Sequence, residues 1–184
     1  MNPARRILCT LARHLTGTAH VRLMGGGALI LGYGLDRGTE DIDLLLDDDE
    51  LRTMVEGADF GLALEATNRE LEGDGLYLSH LWGPEQQILT PDWRQSCRPV
   101  SGDWGSELLT VSVLGPLDLI LSKLCRADEE DLADVHHIIE VEGIDRQTLV
   151  DSLASAVVPA DFRDVFPEAA KRALVLFDEE REAG

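Results

Sequence analysis

The sequence predicts an α+β fold, a small mixed β-sheet flanked by helices with a helical C-terminal part. Three observations predict it. Short apolar runs of strand length, chiefly "DIDLLL" and "ELLTVSVLG", all fall before Gly115. Apolar residues at helical spacing lie between those runs. From Pro116 onward every pattern is helical. Residues 1–114 therefore read as an α/β core. Residues 115–184 read as a helical segment packed on that core rather than an independent domain. A chain of 184 residues can bury such a core without disulfides.

The elements follow in order. Ile7, Leu8, Leu11 and Leu15 recur at helical spacing, which predicts a helix over 3–15. "VRLMG" reads as a short strand or a helix end. "GALILGY" reads as a helix that carries glycines at its N-terminus, and residues 34–40 as a charged, glycine-bearing loop. "DIDLLL" is a short buried strand followed by an acidic turn. "DDDELRTMVEGADF" opens on good N-cap residues and predicts a helix. "LALEATNRELEGDGLYLSHLWG" predicts one or two strands around a Gly-Asp-Gly turn. "ELLTVSVLG" is a further strand. "GPLDLILSKLCRA" places proline in the first turn of a helix. "DEEDLADVHHIIEVEG" starts with acids and stops at glycine, as a helix prefers. Helical patterns also cover about 146–156 and 167–181.

Composition narrows the functional classes. The net charge is -19, from 35 acidic residues against 16 Lys and Arg, and such a body repels nucleic acid as a whole. The charge is uneven. Residues 1–35 hold Arg5, Arg6, Arg13 and Arg22 but no Asp or Glu. A second small basic cluster, Arg94 and Arg98, surrounds Trp93, where a base would stack if the tryptophan is not core. Cys9, Cys97 and Cys125 are odd in number, widely spaced and without C-x-x-C, which reads as reduced thiols. No apolar run approaches the ~20 residues of a membrane span. A cytoplasmic protein without a signal peptide is the expectation.

The chemistry concentrates in "MGGGALILGYGLDRGTEDIDLLL". Strand residues i and i+2 share a face, so Asp41 and Asp43 project together while Ile42 points the other way. Two carboxylates spaced by about 7 Å of strand can converge on a divalent cation, with phosphate oxygens and water completing the shell. Gly25 and Gly26 let a phosphate approach the backbone, and the helix behind them offers free N–H groups. Arg37, in the intervening loop, can reach the same anion. The glycines fit neither G-x-G-x-x-G nor a Walker A sequence, and "DIDLLLDDDE" lacks the spacing of an EF-hand. His136 and His137 are adjacent on a helix and diverge too far to share one ion readily.

This segment resembles the signature of the DNA polymerase β-like nucleotidyltransferase superfamily: Gly-Gly, a spacer helix, then Asp-apolar-Asp. It is closest to the minimal nucleotidyltransferases of the AbiEii toxin and DUF6036 kind. A second resemblance lies at "LDLILSKLCRADEEDLADVHHII", so the likeness covers about residues 20–140. It implies that Asp41 and Asp43 hold Mg²⁺ or Mn²⁺. Gly25, Gly26 and Arg37 would position nucleotide phosphates. Lys123 would contact phosphate, and Asp131 would be a second catalytic acid and a base for the attacking hydroxyl. Both also have structural readings, Lys123 as a side chain snorkelling from an apolar stripe and Asp131 as a helix-start acid. Two departures stand out. Asp128 and Glu130 occupy places where relatives carry basic residues. The third carboxylate that many members use on a later strand is not identifiable.

The implied activity is transfer of a nucleoside monophosphate from an NTP to a hydroxyl, on an RNA or tRNA end or a protein. The implied setting is a toxin–antitoxin or phage-defence module with a cognate antitoxin. The alternatives are a non-catalytic nucleotide- or partner-binding module on the same fold, and an acidic partner that covers a basic protein.

Overall fold

The computed structural model describes residues 2–47, 49 and 58–183. The chain is α+β. It divides into two compact units, residues 1–83 with 97–113, and residues 84–96 with 114–184.

The first unit holds a five-stranded mixed sheet. Helix α1 (Pro3–His14) starts where Asn2 caps it, its side chain accepting from the Ala4 amide at 2.8 Å, with Pro3 in the first turn. Its apolar face buries Ala4, Ile7, Leu8 and Leu11. Strand β1 (Ala19–Met24) leads directly into α2 (Gly25–Gly32), and β2 (Asp41–Leu45) returns antiparallel to β1. Helix α3 (Ala58–Leu71) precedes β3 (Tyr77–Trp82), which pairs parallel to β2. Strands β4 (Arg98–Pro99) and β5 (Leu109–Val113) complete the order β3-β2-β1-β5-β4. Helix α2 rests on β1, β2 and β5, and α1 packs on α3. Gly32 permits the first contact, since a β-carbon there would lie 2.7 Å from Val113 Cγ2.

Residues 62–71 are helix, not strand. Phe60, Ala63, Thr67 and Leu71 are buried at spacings of three and four, and they define one helical face. The turn at Glu72–Asp74 then delivers a single strand. The helix expected over 47–60 lies, apart from its ends, outside the described residues.

The second unit is helical: α4 (Trp93–Ser96), α5 (Pro116–Lys123), α6 (Glu129–Glu142), α7 (Arg146–Ser155) and α8 (Phe166–Ala183). Sequence punctuation accounts for their ends. Asp128 and Asp145 cap α6 and α7 through their side chains, and Gly143 closes α6 in the left-handed conformation at φ 61°. Helix α5 packs on α6, and α8 packs on α6 and α7. An isolated bridge joins Leu89 to Val157. No helix among the described residues is long and apolar enough to cross a membrane.

Candidate active site

Strand β2 decides where the two carboxylates go. Ile42 and Leu44 are fully buried on one face of the strand, and Asp41 and Asp43 stand half-buried on the other, where the buried Leu45 follows them. Leu23 and Met24 of β1 pair with Leu44 and Asp43, so the end of β1 lies beside the pair. The chain turns there into α2 through Gly25.

Gly25 adopts φ +63°, and a β-carbon there would stand 2.9 Å from Asp43 Oδ2. Both facts require glycine at this position, because the left-handed conformation strains L side chains and the carboxylate leaves no room for one. At Gly26 a β-carbon would lie 3.4 Å from Thr39 Oγ1 and 3.6 Å from Arg37 Nη2. The glycines, Arg37 and the two aspartates thus meet at one end of α2. Met24 supplies no side-chain cap, so the first-turn amides of α2 face this corner without a side-chain acceptor from their N-cap.

Two hydroxyls set the carboxylates. Thr39 Oγ1 lies 3.1 Å from Asp41 Oδ1. Ser79 Oγ lies 2.9 Å from Asp43 Oδ1 and 3.4 Å from Asp41 Oδ2. Ser79 reaches both because the pairing of β2 with β3 shifts register between Ile42 and Asp43. Asp41 pairs with Tyr77 and Ile42 with Leu78, but Asp43 pairs with His80, so Ser79 is the extra residue of a bulge. Neither hydroxyl was singled out by the sequence reading. Thr39 had a local signal, a hydroxyl two residues before an aspartate. Ser79 had none, since its contact depends on a one-residue slip between strands far apart in sequence.

The donor set suits a hard divalent cation. It consists of the oxygen atoms of two carboxylates on either side of one hydroxyl. Among the described residues no group of three or more His, Cys, Asp or Glu converges. A Mg²⁺ ion here would take its remaining oxygens from substrate phosphate and water, as this small, tightly hydrated ion prefers.

The second unit gathers the other candidates into a buried charge cluster. Lys123 is 7 % exposed, and its ammonium donates to Asp131 Oδ1 at 3.1 Å and lies 2.6 Å from Asp134 Oδ2. Arg126 adds two hydrogen bonds to Asp131, at 2.9 and 3.1 Å. Burial pushes the Asp131 carboxyl up, but the Arg126 hydrogen bonds and the Lys123 charge outweigh it and hold the carboxyl below the usual carboxylate range. A carboxylate so held is a weak proton acceptor near neutral pH. Lys123 does not merely snorkel, and Asp131 is more than a helix-start acid: together with Asp134, which the sequence did not single out, they tie α5 to α6.

Trp93 is buried at 4 % exposure, and the Arg94 guanidinium covers its ring at 4.4 Å. The ring offers no open face to a nucleic-acid base. Among the described residues no disulfide joins Cys9, Cys97 or Cys125.

Residues 7–165 match the family described as "Nucleotidyltransferase of unknown function (DUF6036)". The chain belongs to this family. The match takes in the sheet, the glycine-led helix, the aspartate pair and the Lys123 cluster, and ends just before α8. No curated protein and no solved structure matches the chain. As a DUF6036 protein, the chain stands among nucleotidyltransferases.

Proposed function

We propose that this DUF6036 chain is a metal-dependent nucleotidyltransferase of the DNA polymerase β-like type, moving a nucleoside monophosphate from an NTP to a hydroxyl. The observation that carries this reading is the approach of Asp43 to Gly25, which joins a carboxylate pair to a glycine-led helix N-terminus. The α2 amides and Arg37 bind the triphosphate oxygens and orient the chain of phosphates. Asp41 and Asp43 hold Mg²⁺ or Mn²⁺, which when bound neutralises phosphate charge and aligns the reacting groups. The acceptor oxygen attacks the α-phosphorus, the bond to the β-phosphate oxygen breaks, and pyrophosphate leaves. The acceptor proton passes to Asp131, the acid that the resemblance assigns, or to bulk water. The resemblance assigns Lys123 to nucleotide phosphate. Its ion pairs give it a fixed direction within its own unit.

The acceptor class we favour is an RNA or tRNA end or a protein hydroxyl, and the setting a toxin–antitoxin or phage-defence module in the cytoplasm with a cognate antitoxin. These follow from the resemblance to AbiEii-type proteins. The acidic body favours a protein acceptor over a long polyanion.

A second reading has its own support. Strand β3, "YLSHLW", carries no Asp or Glu beside the pair, so a module that binds nucleotide without transferring it fits the same corner. The deciding experiment incubates the chain with each α-labelled NTP, Mg²⁺ or Mn²⁺, total RNA and cell extract, and sizes the labelled product. Transfer by the wild type and none by Asp43→Asn supports the enzyme. Nucleotide binding without transfer under all conditions supports the module.

A further inference from the structure

We infer that Ser79 is a positioning residue for the cation site, setting the direction of the Asp43 carboxylate so that Oδ2 faces the glycine end. The inference rests on the reading of Asp41 and Asp43 as metal ligands and adds a residue that the family resemblance does not supply.

A serine hydroxyl has one proton to donate. Acceptors beside Ser79 Oγ include Asp43 Oδ1 at 2.9 Å, Asp41 Oδ2 at 3.4 Å and the Ile42 carbonyl at 3.4 Å. The shortest contact takes the proton. Asp43 Oδ1 is therefore engaged, and its plane is fixed. The other oxygen, Oδ2, is the one that stands 2.9 Å from where a Gly25 β-carbon would be. Thr39 Oγ1 lies 3.1 Å from both Asp41 Oδ1 and the Asp41 carbonyl, so its one proton does not single out the carboxylate.

The hydroxyl also addresses a charge problem. Two carboxylates on one face repel each other when no cation lies between them. Ser79 stands between them and places a positive hydrogen against one. Without it, the pair relaxes apart, and the free energy of bringing the two together must come out of metal binding. A side chain of this kind raises affinity by pre-organisation and touches no substrate atom. The register shift sets Ser79 opposite the link between Ile42 and Asp43.

The test measures Mn²⁺ binding to the full-length chain, by electron paramagnetic resonance of the free ion, beside the thermal midpoint of each variant. Ser79→Ala should weaken Mn²⁺ about tenfold, or ~1.4 kcal/mol. Ser79→Thr, which keeps the hydroxyl, should restore most of the affinity. Asp43→Asn should abolish binding. Wild-type affinity in a folded Ser79→Ala chain, with binding lost in Asp43→Asn, overturns the role of Ser79 and leaves the metal reading standing. Unchanged binding in Asp43→Asn overturns the metal reading itself. A fall in midpoint for Ser79→Ala without a fall in affinity makes the serine structural only, which also overturns the inference.

Discussion

A β-carbon on Gly25 would lie 2.9 Å from Oδ2 of Asp43, so the backbone of α2 and the carboxylate of β2 share one van der Waals boundary. Gly25→Ala meets two penalties there. The left-handed φ of +63° costs an L residue roughly 1–2 kcal/mol, and the carboxylate must move. The expected outcome is a lower unfolding midpoint together with weaker Mn²⁺ binding. A variant that loses stability but binds Mn²⁺ like the wild type would show that Asp43 is not bound to the glycine end.

Gly32→Ala supplies the contrast. Its β-carbon would stand 2.7 Å from Val113 Cγ2, on the packing side of α2. Overpacking of this kind costs about 1–3 kcal/mol. Denaturant unfolding should register the loss, and cation binding by the folded fraction should be unaltered. Compensation by Val113→Ala in the double variant would locate the strain at that contact.

Lys123→Met removes the ammonium that the buried Asp131 and Asp134 share, while Arg126 stays on Asp131. Removing one partner of a buried pair typically costs about 3–5 kcal/mol. Chemical denaturation should show a loss of that order, and adding Asp134→Leu should recover part of it. If Lys123→Met is stable and loses only nucleotide affinity, the lysine serves phosphate and not the joining of α5 to α6.

Acid should act through Asp131. Its folded carboxyl is held below the ordinary value of about 3.9 once the Arg126 and Lys123 interactions outweigh burial. The stabilisation is therefore fully present above that value and is lost as pH falls through the folded one. The stability gap between the wild type and Asp131→Asn should be level from neutral pH to about 4 and close below it. A gap of the same size at pH 7 and pH 3 would sink the assignment.

Much of the fold and half of the site could be read from residue order alone. The i, i+2 aspartates and the glycines before an apolar run are local patterns, and the structure keeps both. The caps at Asp128, Asp145 and Gly143 are local as well. In residues 62–71 the Gly-Asp-Gly turn that follows points to strands, but the helical spacing of Phe60, Ala63, Thr67 and Leu71 is the stronger signal. Ser79 is out of reach for another reason, since it acts on a side chain of a strand far away in sequence and has no period or motif of its own. Asp134 lies in the D-L-x-D of the second resemblance, but its role on Lys123 depends on helix packing. Assigning Lys123 its partners required the return of α6 against α5, which no spacing rule gives.

The alternation along β2 also sets where the gene can tolerate insertions and deletions. Its core face is anchored by Ile42 and Leu44, both fully buried. A codon added among residues 34–38 lengthens a surface loop and leaves both aspartates where they are. The same codon between Asp41 and Asp43 swings one of them toward the hydrophobic interior and carries an isoleucine out to water.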